Sequence, residues 1–168
     1  MNQTARQVLH ATCVAVGDRG LLILGGSGTG KSALALKLIA LGAALVSDDQ
    51  VAIEPDDDTL RAFCPRDAIR GMIEARGFGI LHLQAQTSAR LILALDLDRI
   101  EGARLPPSRQ VTLLGRNLPL AHAPKGDHLP SALYCHLTGA LRDLGPELGP
   151  DLARDLGPDE LDGGDGRR

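Results

Sequence analysis

Two clusters in this chain hold residue types that handle phosphate. Gly25-Gly26-Ser27-Gly28-Thr29-Gly30-Lys31-Ser32 fits the pattern G-x-x-x-x-G-K-[ST] in full, the P-loop or Walker A signature. Glycines at such spacing permit backbone angles that aim successive N–H groups at an anion, and a following helix adds its positive end. Lys31 would reach the β and γ phosphates of ATP, and the Ser32 hydroxyl would ligate Mg²⁺. The bland alternative is a Gly-rich turn before a helix; the strand–loop–helix setting argues against it. The second cluster, Ser47-Asp48-Asp49, ends 17 positions beyond Ser32. It closes the strand that follows the loop's helix, and ligands of α/β sheets gather at the carboxyl ends of strands. One carboxylate there would hold a Mg²⁺ water. The other would take the proton of an attacking hydroxyl, and repulsion between neighbouring acids would raise one pKa. Read alone, the pair could equally be a solvated turn.

Several phosphate chemistries are disfavoured. No N-K-x-D or D-x-x-G string of a GTPase and no LSGGQ of a transporter ATPase occurs. Arg66, Arg70 and Arg76 could form the Arg lid of a small-molecule kinase, so that class stays open. So does a non-catalytic, nucleotide-responsive binding module.

The elements that must position these residues read as α/β. ATCVAV and LLIL flank the turn GDRG as a hairpin leading into the loop, and KSALALKLIALG predicts a helix ending at Gly42. AALV predicts the strand before the Asp pair, and VAIE with LRAF a second hairpin around PDDDT. RLILALDLD predicts a central strand, LLGRNLPLAHA a strand pair, and LPSALYCHLTGALRDL a closing helix.

The chain has 168 residues, 43% of them hydrophobic, which is enough for one sizeable core. Only 2% are aromatic, so that core must be built from Leu, Ala, Ile and Val. No apolar run approaches the roughly 20 residues of a membrane span, and the N-terminus lacks a signal-peptide profile. Cys13, Cys64 and Cys135 lack metal-ligand spacing and read as buried reduced thiols of a cytoplasmic protein. The net charge is −3. From Asp143 onward there are eight acidic and three basic residues, or −5, which leaves +2 on residues 1–142. A body so near neutrality gives no reason to expect nucleic acid as partner. Residues 143–168 repeat D/E-L-G-P units, a composition that cannot offset chain entropy by burial and reads as a disordered appendage.

Spacing then links further residues. His10 precedes Lys31 by 21 positions, and Glu74 follows Asp49 by 25, opening the string Glu74-Ala75-Arg76-Gly77-Phe78-Gly79-Ile80-Leu81. Loop, Asp pair and string together resemble the catalytic domain of HPr kinase/phosphorylase, over about residues 7–142. Ala75 stands where that family's E-I-R-G-x-G-I-I signature has Ile. The resemblance implies a P-loop core with a mixed sheet of the HPr kinase/carboxykinase type in residues 1–142. It also implies an ATP- and Mg²⁺-dependent enzyme that phosphorylates a serine of the phosphocarrier protein HPr. The reverse reaction would use inorganic phosphate and release pyrophosphate. His10 and Lys31 would be active-site groups, Ser32 and Glu74 Mg²⁺ ligands, and Asp49 the base forward and acid in reverse. The family forms ring-like hexamers through this domain, so a homo-oligomer is expected.

The departures are specific. Nothing here corresponds to the N-terminal domain of longer members, so the chain resembles the family's short forms. The family's catalytic Arg matches Arg104, with Arg99 as runner-up, after a segment about eleven residues shorter than usual. Gly115-Arg116-Asn117 imitates the loop that serves dephosphorylation but comes too early. Pro124-Lys125-Gly126-Asp127 is better placed and has Asp127 where the family has Arg.

Overall fold

The structure, a computed structural model, describes residues 5–145. The tail expected to be disordered therefore lies outside the described residues from position 146 on. The first hairpin is β1 (Gln7–Val16) and β2 (Arg19–Leu24), joined by a turn at Gly17. The phosphate-type loop leads from β2 into α1 (Lys31–Leu41), then come β3 (Ala44–Ser47), β4 (Gln50–Asp56) and β5 (Thr59–Phe63). A single 3₁₀ turn, Asp67–Ile69, precedes a small hairpin of β6 (Met72–Ala75) and β7 (Gly79–His82). The chain continues through β8 (Ser88–Glu101), the hairpin β9 (Gln110–Leu113) and β10 (Arg116–Pro124), and α2 (Leu129–Leu137).

The strand pairings close on themselves. β1 pairs antiparallel with β2 on one side and with β3 and β4 end to end on the other; β4 pairs with β5, and β5 with β8. β8 completes the circuit by running parallel to β2, with Leu24 opposite Asp96. β8 is also parallel to β10, and β9 forms the outer edge, so the sheet is mixed. Strand alternation divides the core in two. Ala11, Cys13 and Ala15 of β1 face one cluster with Leu22, Ile53 and Leu60, while Val14 faces the second with Leu21, Ile23 and the inner side of α1. Leu38 of α1 is fully buried there; burial of such a side chain is worth about 1.5–3 kcal/mol.

Both helices stop where glycine allows it. Gly42 has φ 122°, its N–H donates to Ile39 O at 3.0 Å, and Ala43 N–H donates to Leu38 O at 3.0 Å. The paired bonds satisfy carbonyls that the last turn leaves open. The same arrangement at Gly139 (φ 116°) ends α2 after Leu137, so the closing helix expected through Leu144 is seven residues shorter. One further expectation is corrected: Cys135 is exposed, unlike Cys13 and Cys64. Beside Glu74, β6 and β7 flank a tight turn at residues 76–78, where Phe78 N–H donates to Ala75 O at 2.9 Å. Burial pushes the Cys13 thiol up to about 12, which keeps it protonated. No helix among the described residues is long and apolar enough to cross a membrane.

Candidate active site

Three segments meet where β1, β3 and the head of α1 converge. The loop between β2 and α1 begins at Gly25 (φ 149°), where a Cβ would stand 2.6 Å from Thr29 Oγ1. Thr29 Oγ1 in turn donates to Gly26 O at 2.8 Å, closing the loop on itself. Gly28 and Gly30 also have positive φ, and Gly30 leads directly into α1. The Lys31 side chain folds back over this loop. Its Nζ donates to Gly25 O at 2.8 Å and to Gly26 O at 2.9 Å, and lies 3.3 Å from His10 Nε2.

The two adjacent acids have different environments. Asp48 is buried, and its Oδ1 accepts from Thr12 Oγ1 at 2.7 Å and from Ser32 Oγ at 2.8 Å. Asp49 is turned the other way by a strained backbone: φ is 67°, and the Asp48 carbonyl bonds across it to Gln50 N–H at 2.8 Å. A three-residue turn with positive φ is uncommon, and strain of about 1–3 kcal/mol at a non-glycine residue is found chiefly at functional sites. The turn aims the Asp49 carboxylate outward, 70% exposed, with Oδ1 3.2 Å from His10 Nδ1. His10 is fixed in turn by pairing opposite Gln50 in the β1–β4 register.

These groups wall one cavity of about 460 Å³, within the size range of small-molecule sites. His10, Lys31, Ser32 and Asp49 line it from one side, and Glu74 and Arg76 from the β6–β7 hairpin. The structure therefore brings His10, Ser27, Gly28, Gly30, Lys31, Ser32, Asp49 and Glu74 to one cavity, while Gly25, Gly26 and Thr29 belong to the loop but not to the lining. It does not bring Arg104 or Arg99: both are exposed, Arg104 on the loop between β8 and β9, and neither lines the cavity. Lys125 is exposed in the turn before α2 and is also absent from the lining. Arg76, which could have paired with Glu74 or Asp48, makes no ion pair among the described residues. Of the remaining lid arginines, Arg70 is paired with Asp67 at 2.8 Å.

Two residues escaped the sequence reading. Thr12 is a buried hydroxyl in the otherwise apolar half of β1 from Ala11 to Val16, and its partner Asp48 lies 36 positions away. Asp98 accepts from Gly26 N–H, and the acids of LDLD at a strand's carboxyl end were the signal for it.

Comparison with known proteins identifies the family and the fold. The family model described as HPr Serine kinase C-terminal domain matches residues 2–94, more than half of the chain. The chain belongs to the HPr serine kinase C-terminal domain family. Among curated relatives, HPr kinase/phosphorylase of Clostridium botulinum (strain Eklund 17B / Type B) is 48% identical over 73 residues, covering 44% of this chain and 24% of that protein. The Geobacillus kaustophilus HPr kinase/phosphorylase is 36% identical over 115 residues, covering 64% of this chain and 35% of that protein. The chain thus spans about a quarter to a third of the length of these relatives. Among solved structures, the Hpr(Ser) kinase/phosphatase from Coxiella burnetii superposes with a TM-score of 0.66 at 27% identity, covering 79% of this chain and 93% of that one. The mixed-sheet α/β fold of the HPr serine kinase C-terminal domain is therefore the fold of this chain.

Proposed function

We propose that this chain is a protein serine kinase that transfers the γ-phosphate of ATP to a serine of HPr and removes it again by phosphorolysis. The observation that carries the proposal is the Asp49 carboxylate on the wall of the cavity that also holds Lys31 and Ser32. A nucleotide-binding module alone has no use for a strained, outward-facing acid at that place. The relatives' names supply the acceptor, HPr.

In this reading residues 25–32 are a P-loop. Lys31 has three donors; two are held by Gly25 O and Gly26 O, and the third, now beside His10, is the one a phosphate oxygen takes. The donor set fits Mg²⁺. Ser32 Oγ gives its proton to Asp48 and so presents a lone pair to the cavity, and Glu74 faces it as a carboxylate oxygen donor. Mg²⁺ is commonly held by one or two protein oxygen ligands plus substrate phosphates. When bound, Mg²⁺ supplies charge neutralisation at the β and γ phosphates.

Asp49 accepts the proton as the serine Oγ forms its bond to the γ-phosphorus and the bond to ADP breaks. In reverse, an oxygen of inorganic phosphate attacks the phosphoserine phosphorus, Asp49 returns the proton to the leaving Oγ, and pyrophosphate departs. His10, donating from Nδ1, orients the Asp49 carboxylate. Arg76 stands on the cavity wall ready to neutralise developing charge. Arg104 would reach the phosphates only by movement of its loop.

The experiment is Mg-ATP with purified HPr, followed by mass spectrometry for phosphoserine and then by excess inorganic phosphate with a pyrophosphate assay. Phosphoserine formation and its phosphate-dependent loss are expected. ATP consumption with a metabolite but not with HPr would favour a small-molecule kinase, and binding without transfer would favour a regulatory module.

A further inference from the structure

Asp98 lies near the carboxyl end of β8 and touches the phosphate-type loop from outside the cavity. Gly26 N–H donates to its carboxylate, with both Oδ1 and Oδ2 at 3.1 Å from Gly26 N. At the other end of the same peptide group, Lys31 Nζ donates to Gly25 O at 2.8 Å. In a trans peptide the C=O and N–H point in opposite directions. The Gly25–Gly26 peptide is therefore held between an ammonium on its oxygen and a carboxylate on its N–H. Its dipole aligns with both charges. Such charge-assisted bonds are roughly twice as strong as neutral ones.

We propose that Asp98 is a positioning residue for phosphate binding, locking the orientation of the Gly25–Gly26 peptide. This rests on the reading of residues 25–32 as a phosphate site. The peptide needs a lock because glycine stands on both sides of it, so no Cβ resists its rotation. Rotated, it would withdraw Gly25 O from Lys31 and unseat the cation that must meet the γ-phosphate. β8 is well placed to supply the lock. Leu97 packs so closely that a Cβ on Gly25 would lie 3.2 Å from Leu97 Cβ, and Asp98 N–H is itself held by Asp96 Oδ1 at 2.8 Å. The carboxylate contacts the loop and not the cavity lining, so it acts through the loop and not on the substrate.

The test compares wild type, Asp98→Ala and Asp98→Asn in the full chain, titrating Mg-ATP and Mg-pyrophosphate and following the Gly26 amide proton by NMR. Asp98→Ala is expected to weaken both ligands by about tenfold, with the Gly26 amide shifted to a less hydrogen-bonded position. Asp98→Asn keeps an acceptor oxygen and is expected to restore both affinities to within about threefold. Unchanged pyrophosphate affinity in Asp98→Ala would overturn the proposal, because it would mean a contact with the nucleoside or none. Equal losses in Ala and Asn accompanied by a fall in melting temperature would overturn it in favour of a purely structural acid. If the wild type binds neither ligand, the phosphate-site reading itself fails.

Discussion

Lys31 Nζ lies 3.3 Å from His10 Nε2. An ammonium can only donate, so Nε2 must present its lone pair and the imidazole proton must sit on Nδ1, facing Asp49 at 3.2 Å. In the proposed reaction His10 thus couples Lys31, assigned to the γ-phosphate, to Asp49, assigned to the serine. Replacing His10 by Ala removes Asp49's orienting donor but leaves both carbonyl contacts of Lys31. The expected outcome is a drop in kcat of about tenfold to a hundredfold. ATP affinity should stay within about threefold in a parallel titration.

The oxygen donors assigned to Mg²⁺ predict a separable defect. Ser32→Ala and Glu74→Gln should raise the Mg²⁺ concentration for half-maximal activity by about tenfold each, since each removes one protein ligand from a site that has few. Nucleotide binding measured in EDTA should change little. A loss of metal-free binding equal to the loss with metal would mean that these residues shape the loop instead.

The hairpin that carries Glu74 and Arg76 depends on the glycine just before β6. Gly71 has φ 77°, its carbonyl accepts from Leu83 N–H at 2.7 Å, and a Cβ there would stand 2.2 Å from Leu83 O. That neighbour is backbone and cannot swing aside. Gly71→Ala should displace β6 and β7, with a loss of about 1–3 kcal/mol in urea unfolding and a rise in the Mg²⁺ requirement like that of Glu74→Gln.

Much of this site was legible because its signals are local. The glycine loop, the Asp pair ending a strand and the EARGFGI string each sit within a few residues, and the β1–β2, β4–β5 and β9–β10 hairpins and α1 follow from alternation and turn residues. What the sequence hid depends on distance through space. Thr12 gains meaning only from Asp48, and Asp98 only from Gly26, 72 positions away. Arg104 matches a family position by sequence, yet the path of the loop from Gly102 to Arg109 holds it out of the cavity lining. Cys135 reads as buried because a free cysteine without metal-ligand spacing most often is. Only the packing shows that Leu133 and Leu137 face inward while Cys135 does not.

Stability should carry a pH signature at Glu101, the last residue of β8. Burial pushes its carboxyl up, but hydrogen bonds from Arg109 and Ala103 N–H, with the charges of Arg109 and His122, outweigh that and leave it below its ordinary value. Its side chain is only 8% exposed, so solvent screens the pair weakly. A depressed carboxylate stabilises the fold above its unfolded pKa, and that contribution is lost as pH falls through the lower folded value. Glu101→Gln should therefore cost about 1–3 kcal/mol at pH 7 by urea unfolding. The gap from wild type should close as the pH drops below the carboxylate range.

The most direct measurement is phosphoserine formation on HPr by wild type and Asp49→Asn at saturating Mg-ATP, with ATP affinity determined on the same samples. Wild type should phosphorylate HPr. Asp49→Asn should bind ATP within about threefold of wild type while its transfer rate falls by at least about a hundredfold. Undiminished transfer by Asp49→Asn, or parallel loss of binding and transfer, would contradict the role of this carboxylate as the base.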